Sequence, residues 1–310
     1  MIAPAKLLPG DTICLVAPAG IPDAADMKAC VKYLADAGFK VEKGQHLSSI
    51  HGRFAGTDAE RLFDLQWALN HPAAKAVLCA RGGYGLTRYI DSLNLDIFNT
   101  KPKWVIGYSD ITALLCMLYK NGIQSLHGPM GKNLGTHISE PSASLMLKSI
   151  SGNPSGFTLR PNKHNRPGIC SGKLMGGNLT MLCNTIGTKT EPDYAECILF
   201  IEDLEEEIYH ADRMLMQLYR TGRLSAVKGI IAGDFYRMHN AGIGFGKTME
   251  EILKEYADLV KIPLLQHFPA GHAPENLPLI VGQVYNLNIS DYACSLLPKD
   301  LAHNVIEIAR

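Results

Sequence analysis

The first half of the chain alternates short apolar runs with segments in which apolar residues recur at helical spacing. The apolar runs are each short enough for one buried strand, and they occupy residues 13–17, 76–80, 104–108 and 124–127. Helical spacing appears between and after them, at residues 23–37, 58–70, 86–93, 110–120 and 141–150. This alternation predicts βαβ units around a parallel sheet, a Rossmann-like α/β domain whose strands all end at one edge.

The second half of the chain has a more mixed pattern. Residues 151–172 are rich in Gly, Pro, Asn and Ser, so we predict an N-terminal domain over 1–155, a linker over 156–172 and a C-terminal domain over 173–310. Strand-like runs follow at 197–201, 227–232 and 279–287, and helix-like segments at 178–186, 211–220 and 248–259. The C-terminal domain is therefore predicted to be a smaller, β-rich α/β domain.

Composition narrows the class of partner. Lysine plus arginine number 30 and aspartate plus glutamate number 30, so the chain has no basic field for nucleic acid or an anionic membrane. A peptide or small-molecule partner fits better. The eight cysteines are scattered without a CxxC pair, as buried thiols in a reducing compartment would be. With no signal-like or membrane-spanning apolar stretch, we expect a cytoplasmic protein.

Ser109 lies where the predicted strand 104–108 meets a predicted helix that begins at Asp110. Such a turn exposes a side chain beside a helix N-terminus, where free N–H groups favour a developing oxyanion. It has the form of a nucleophile elbow, but the residue at 111 is Ile, so it is not the GxSxG motif. Taken alone, the turn is better explained by a serine or aspartate that caps the helix.

A second turn strengthens the catalytic interpretation. The glycine-rich segment 81–85 (Arg-Gly-Gly-Tyr-Gly) also follows a predicted strand, and its glycines allow close approach of backbone N–H groups to a ligand. A serine nucleophile also needs a base, usually a histidine that a carboxylate orients. His272 lies in a Gly- and Pro-rich loop, and either Glu202 or Asp203, at the end of a buried strand pattern, could orient it.

Another segment of the sequence suggests a nucleotide-binding site instead. Residues 241–248 (Ala-Gly-Ile-Gly-Phe-Gly-Lys-Thr) are similar to a phosphate-binding P-loop. Against this, the preceding strand pattern ends near residue 232, whereas a P-loop follows its strand directly. The chain also has no HExxH motif and no His, Cys and acid cluster with the spacing of metal ligands.

The motifs in their order along the chain resemble the LD-carboxypeptidase family of serine peptidases. The resemblance spans nearly the whole chain and is carried by segments 16–20, 80–85, 107–112, 127–130, 176–179, 201–203, 212–215 and 271–272. It implies a catalytic triad of Ser109, Glu202 and His272, with an oxyanion hole from the backbone N–H groups of Gly83 and Asp110. It also implies a Rossmann-like domain that carries the serine, a smaller domain that carries the other two residues, and no metal or organic cofactor.

The family's activity implies the substrate. A member of this kind hydrolyses the bond between the L-centre of a diamino acid and a terminal D-alanine in a cytoplasmic muropeptide, and the resemblance also implies a homodimer. Two other functions remain open: a hydrolase of the same fold that acts on a peptide antibiotic of the aminoacyl-adenylate type, as microcin-immunity peptidases do, and a peptide-binding protein without catalysis.

Overall fold

The computed structural model describes residues 1–134, 140–242, 244–300 and 304–308. In these residues, one six-stranded sheet has the order β2-β1-β3-β4-β5-β11. Its strands are β1 (Thr12–Val16), β2 (Lys40–Lys43), β3 (Ala74–Cys79), β4 (Trp104–Gly107), β5 (Ser125–His127) and β11 (Leu279–Val281). The first five strands are parallel, which confirms the predicted Rossmann-like sheet.

Helices cover this sheet because their apolar residues lie on one face. They are α1 (Ala24–Asp36), α2 (Asp58–Asn70), α3 (Asp96–Thr100), α4 (Thr112–Lys120) and α5 (Glu140–Ile150). The start of α2 is fixed by a capping box, in which the Thr57 hydroxyl accepts from the Glu60 N–H and the Glu60 carboxylate accepts from the Thr57 N–H. The edge strand β2 was missed by the sequence analysis because its residues, Lys-Val-Glu-Lys, form no apolar run.

A second sheet contains eight strands among the described residues, in the order β10-β9-β8-β7-β12-β13-β6-β14. The strands are β6 (Gly156–Leu159), β7 (Gly168–Asn178), β8 (Cys197–Leu204), β9 (Gly229–Tyr236), β10 (Leu264–Leu265), β12 (Val284–Ile289), β13 (Cys294–Pro298) and β14 (Val305–Ile308). The associated helices are α6 (Leu179–Thr185), α7 (Ile208–Arg220), α8 (Arg223–Ala226) and α9 (Met249–Val260). Strands β7 to β10 are parallel, and the C-terminal half is β-rich as predicted.

Three sequence predictions need correction. Residues 86–93 form two short 3-10 turns, at Leu86–Arg88 and Ile90–Ser92, instead of an α-helix. The run 279–287 is two strands, because Gly282 turns the chain with φ of 89° between β11 and β12, which belong to different sheets. The predicted linker 156–172 contains β6 and the first part of β7, whose Gly-rich sequence hid its strand character.

The two sheets share a core. One cluster of buried apolar side chains includes Val16 and Leu114 from the first half and Met175 and Leu199 from the second. In addition, β11 comes from the C-terminal half and pairs antiparallel with β5 at the edge of the N-terminal sheet. Because the core and one sheet cross the boundary, the relative position of the two halves is fixed by packing.

A hydrogen bond between the halves joins the start of α4 to the end of β7. The Asn178 N–H donates to Thr112 Oγ1 at 3.1 Å. At Gly177, where φ is 150°, a Cβ atom would lie 2.5 Å from Thr112 Oγ1, so no larger residue fits without movement.

Among the described residues, no helix is both long and apolar enough to cross a membrane.

We expect Gly177→Ala to lower the free energy of unfolding by about 2 kcal/mol or more, through overlap with Thr112 and an unfavourable φ. In a Thr112→Ala background the overlap is relieved, so the same change should cost less. Denaturant unfolding of the four proteins in this double-mutant cycle measures the difference. Gly222→Ala, also at positive φ but with no atom within 4 Å of the added Cβ, is the control for backbone strain. Equal costs for Gly177→Ala in both backgrounds would contradict the contact.

Candidate active site

Ser109 occupies a strained turn directly after β4. Its φ is 63°, in the left-handed region that non-glycine residues rarely adopt, and its side chain is partly exposed. Residues Ser109–Ile111 form a 3-10 turn that leads into α4, so the first N–H groups of this turn have no partner within the helix. The strand, the strained serine and the following helix together form the predicted elbow. Within the described part of the chain, Ser109 makes no helix-capping hydrogen bond, which removes the main argument for a simple cap.

The glycine-rich turn 81–85 lies against the elbow. A Cβ atom on Gly82 would lie 2.8 Å from Ser109 Cβ and 3.0 Å from Ser109 Oγ, so glycine is required for this approach. Gly83 has φ of 100° and packs against Gly20, and the Gly20 N–H donates to the Gly82 carbonyl at 2.8 Å. The Gly83 N–H has no hydrogen-bond acceptor among the described residues. The loops after β1 and β3 thus meet at the point where the strand order of the sheet reverses.

The side chain of Asp110 connects the elbow at Ser109 to the glycine-rich turn 81–85. Its Oδ2 accepts from the Leu86 N–H at 2.9 Å, and the nearby Gly85 N–H also acts to lower the pKa of its carboxyl group. Burial raises the pKa of Asp110 to about 6, while these N–H donors and Arg61 act in the opposite direction. The side chain of Asp110 therefore anchors the glycine-rich turn, and its backbone N–H lies in the first turn of the elbow.

Arg61 supports the same turn from within the core, and sequence reasoning assigned it no role. This guanidinium is fully buried, forms an ion pair with Asp58 and donates to the Gly56 and Pro18 carbonyls. Its central carbon lies 4.7 Å from the centroid of the Phe54 ring. A Cβ atom on Gly85 would collide with Arg61 Nη1, so Arg61 packs directly beneath the turn. The sequence signal for this residue is weak, because an arginine within an amphipathic helix is normally solvated.

Glu202 and His272 form a buried acid–imidazole pair. Glu202 lies near the end of β8 and is 0% exposed, whereas the His272 side chain is 9% exposed. His272 Nδ1 lies 2.6 Å from Glu202 Oε2, the distance of a charge-assisted hydrogen bond in which Nδ1–H donates to the carboxylate. Gly233 and Gly271 permit this approach, since a Cβ on either would lie within 3.2 Å of Glu202 atoms. With Nδ1 committed to Glu202, Nε2 is the nitrogen left to exchange a proton.

Asp203, the alternative carboxylate, has a different set of partners. Its Oδ1 accepts from Asn178 Nδ2 at 2.8 Å, and its Oδ2 accepts from the N–H and the hydroxyl of Thr180 at 3.0 and 2.9 Å. Burial and the charge of Glu202 raise the pKa of Asp203 to about 6. Asp203 thus holds the start of α6 beside the end of β8, and Glu202 is the carboxylate that contacts His272.

His272 lies beside the elbow. Its ring centroid is 4.9 Å from that of Tyr108, the residue before Ser109. No hydrogen bond joins Ser109 Oγ to His272 in the part of the chain that the structure describes. Catalytic hydrogen bonds are often long in unliganded enzymes and shorten when substrate binds. The structure therefore brings Ser109, Glu202 and His272 to one place, with the acid–imidazole contact already formed.

A second imidazole lies behind this site. His127, at the end of β5, is completely buried, and its ring centroid is 4.8 Å from that of Phe200 and 5.8 Å from that of Tyr108. Burial lowers the pKa of His127 to about 4, so it is neutral and adds no positive charge near Glu202. The environment of the acid–imidazole pair is therefore largely apolar, which strengthens its electrostatic interaction.

In the structure, the end of the P-loop-like segment, residues 244–248, leads into α9. Lys247 pairs with Glu255, and Thr248 forms a capping box with Glu251 at the start of α9. Strand β9 ends at Tyr236, so it does not lead directly into this segment. The segment borders a cavity of about 520 Å³ that is also lined by Gly233, next to Glu202. Among the described residues, no group of three or more His, Cys, Asp or Glu side chains is arranged to hold a metal ion.

Comparison with known proteins defines the class. Residues 13–128 match the family model of the LD-carboxypeptidase N-terminal domain, and residues 171–287 match that of the C-terminal domain. A Bacillus subtilis protein named as a probable murein peptide carboxypeptidase is 34% identical over 93% of this chain and 92% of its own length. The chain belongs to the LD-carboxypeptidase family, and carboxypeptidase is its class of activity.

Solved structures agree on the fold. The muramoyltetrapeptide carboxypeptidase from Oxalobacter formigenes superposes with a TM-score of 0.86 at 28% identity, covering 94% of this chain and all of that one. The microcin C7 self-immunity protein of Escherichia coli is also related, with 28% identity over 90% of both chains. The family therefore contains relatives named for two different kinds of substrate.

The strain at Ser109 leads to a stability prediction. Glycine adopts a φ of 63° without the steric cost of a Cβ, so Ser109→Gly should be more stable than Ser109→Ala by about 1 kcal/mol. Denaturant unfolding measures the difference, and the pair Lys261→Gly and Lys261→Ala, at φ of 59° after α9, calibrates it. If Ser109→Ala were as stable as Ser109→Gly while the Lys261 pair differed, the serine would not be strained in solution.

Proposed function

We propose that this chain is a serine-type LD-carboxypeptidase that releases the terminal D-alanine from muropeptide tetrapeptides in the cytoplasm, as a step of peptidoglycan recycling. The observation that carries the proposal is the 2.6 Å contact between His272 Nδ1 and Glu202 Oε2 beside the strained Ser109 elbow. A buried carboxylate that orients an imidazole next to a partly exposed serine is the arrangement that nucleophilic catalysis needs.

In the proposed reaction, Ser109 Oγ attacks the carbonyl carbon of the bond before the terminal D-alanine. His272 Nε2 takes the hydroxyl proton, and Glu202 stabilises the imidazolium that results. The backbone N–H groups of Gly83 and Asp110 donate to the oxyanion. The Gly83 N–H, which has no acceptor among the described residues, and the position of Asp110 in the first turn of the elbow support this assignment.

Collapse of the tetrahedral intermediate breaks the carbon–nitrogen bond. His272 gives its proton to the departing amine of D-alanine, and the peptide remains as an ester on Ser109. Water then attacks the ester, with His272 again accepting a proton, and the tripeptide leaves as a free acid while Ser109 regains its hydrogen. In each half of the cycle His272 takes one proton and gives it up again, first to the departing amine and then to Ser109, so the enzyme ends the cycle unchanged and one water is consumed.

The relatives and the cysteines support the substrate and the compartment. The Bacillus subtilis relative is named for murein peptides and the Oxalobacter formigenes structure for muramoyltetrapeptide. All eight cysteines are free thiols, as is usual in a reducing compartment. The expected homodimer stays a prediction, which light scattering of the purified protein would test.

A second candidate is hydrolysis of an aminoacyl-adenylate antibiotic, which the relationship to the microcin C7 self-immunity protein favours. Both reactions can use the same nucleophile and base, so the substrates must be compared directly. We expect mass spectrometry to detect loss of one D-alanine from a murein tetrapeptide, with slower or no cleavage of an aminoacyl sulfamoyl-adenylate. Faster cleavage of the adenylate would favour the second candidate.

Ser109→Ala should abolish D-alanine release, reducing kcat by about a thousandfold or more, because the nucleophile is lost. Release is measured by mass spectrometry of the digested tetrapeptide, and circular dichroism checks that the variant folds. Turnover close to that of the unchanged protein would exclude Ser109 as the nucleophile.

The two adjacent carboxylates should respond differently. Glu202→Gln should reduce kcat by about a thousandfold with little loss of stability, since it fails to orient and stabilise His272. Asp203→Asn should instead lower the melting temperature by several degrees, because its amide group would face the Asn178 and Thr180 donors. Its kcat should stay within about tenfold of the unchanged protein. A reversed pattern would make Asp203 the catalytic carboxylate.

A further inference from the structure

This inference rests on the proposed function and concerns how the end of the peptide is recognised. A carboxypeptidase must distinguish a free terminal carboxylate from an internal peptide bond. In a peptide, the terminal carboxylate carbon lies about 4 Å from the carbonyl carbon under attack, since N and Cα alone separate them. The group that reads the carboxylate must therefore lie close to Ser109 and to the glycine-rich turn.

Arg81 is the cation nearest to these elements along the chain. Arg81 precedes Gly82, whose backbone packs against Ser109. The Arg81 side chain lies close to Gly20, since a Cβ atom added to that glycine would be 3.7 Å from it. Its Nη1 donates to the Ile21 carbonyl at 2.7 Å, which fixes the guanidinium beside the loop after β1. The residue is exposed, so a ligand can reach it.

The partners of Arg81 differ from those of the other arginines around this turn. Arg61 and Arg88 both form ion pairs with Asp58, and Arg88 contacts both oxygens of that carboxylate at 3.0 Å. Among the residues that the structure describes, no carboxylate forms an ion pair with Arg81. A positioned guanidinium without a protein carboxylate is suited to bidentate binding of a carboxylate from a ligand.

The surroundings of Arg81 add positive charge on the same side of the elbow. The Lys132 N–H donates at 2.8 Å to the carbonyl of Ala80, the residue before Arg81. Burial lowers the pKa of Lys132, and the charge of Arg81 lowers it further while Asp26 opposes the change. The charge of Arg81 is also felt at Tyr108, next to Ser109. Two cationic residues, Arg81 and Lys132, thus lie at the end of β3, next to the turn whose Gly82 packs against Ser109.

We propose that the Arg81 guanidinium binds the terminal carboxylate of the D-amino acid and so restricts cleavage to the last peptide bond. Lys132 contributes to the positive potential of the subsite. Arg81 acts as a specificity-determining residue, because it holds the leaving amino acid and takes no part in proton transfer. A bound carboxylate places the scissile carbonyl over Ser109, between the glycine-rich turn and His272.

The test compares a tetrapeptide that ends in D-alanine with the same peptide that ends in D-alaninamide. The unchanged protein should prefer the free acid. Arg81→Gln should lower kcat/KM for the acid by about 10- to 100-fold, mainly through KM, and change the value for the amide by less than about threefold. Arg81→Lys, which keeps the charge but loses the planar fork, should fall between the two proteins.

Arg53→Gln is the matched control, because Arg53 is a nearby arginine that lies over the Tyr84 ring and has no role in the proposed site. It should leave the acid-to-amide ratio unchanged. Equal fold losses for acid and amide in Arg81→Gln would indicate a structural role and overturn the subsite, as would full retention of kcat/KM for both peptides. If the unchanged protein released neither D-alanine from the acid nor D-alaninamide from the amide, the proposed function itself would fail, and the two failures are thereby distinguished.

Discussion

The contact between the start of α4 and the end of β7 determines the geometry of the whole site. Thr112 lies three residues after Ser109, and its hydroxyl accepts from the Asn178 N–H. Asn178 in turn pairs with Glu202 in the register of β7 and β8, and Glu202 contacts His272. One interface hydrogen bond, made possible by the missing side chain at Gly177, thus connects the elbow of one half to the acid and base of the other.

Under the proposed mechanism, activity needs both halves of the chain. The elbow and the glycine-rich turn belong to the first sheet, whereas Glu202 and His272 come from the C-terminal half. The shared apolar core and the insertion of β11 beside β5 hold the halves in fixed relation. Since a misplacement of about 1 Å can reduce a rate a hundredfold, a rigid interface of this kind is what the proposed chemistry requires.

Alternation along a strand assigns the two neighbouring acids to different tasks. Successive side chains of a strand point to opposite faces, so Glu202 and Asp203 cannot both face His272. Glu202 points into the apolar environment of Phe200 and the neutral His127, where its attraction to an imidazolium is strong. Asp203 points toward Asn178 and Thr180 and is satisfied by their donors. The local sequence, two acidic residues in a row, does not show which of the two side chains faces His272.

The sequence by itself determined the parallel sheet, the helix of the capping box at Thr57 and the strand-to-helix turn at Ser109, because these depend on periodicity and on neighbours a few residues apart. It also determined the candidates Gly83, Asp110, Glu202 and His272 through their motifs. Only the tertiary structure showed how the partners of Glu202 and Asp203 differ, that Arg61 supports the glycine-rich turn, and that residues 156–159 and 168–172 are strands of the second sheet. Those outcomes depend on contacts between residues far apart in the chain, whose free energy no local pattern encodes.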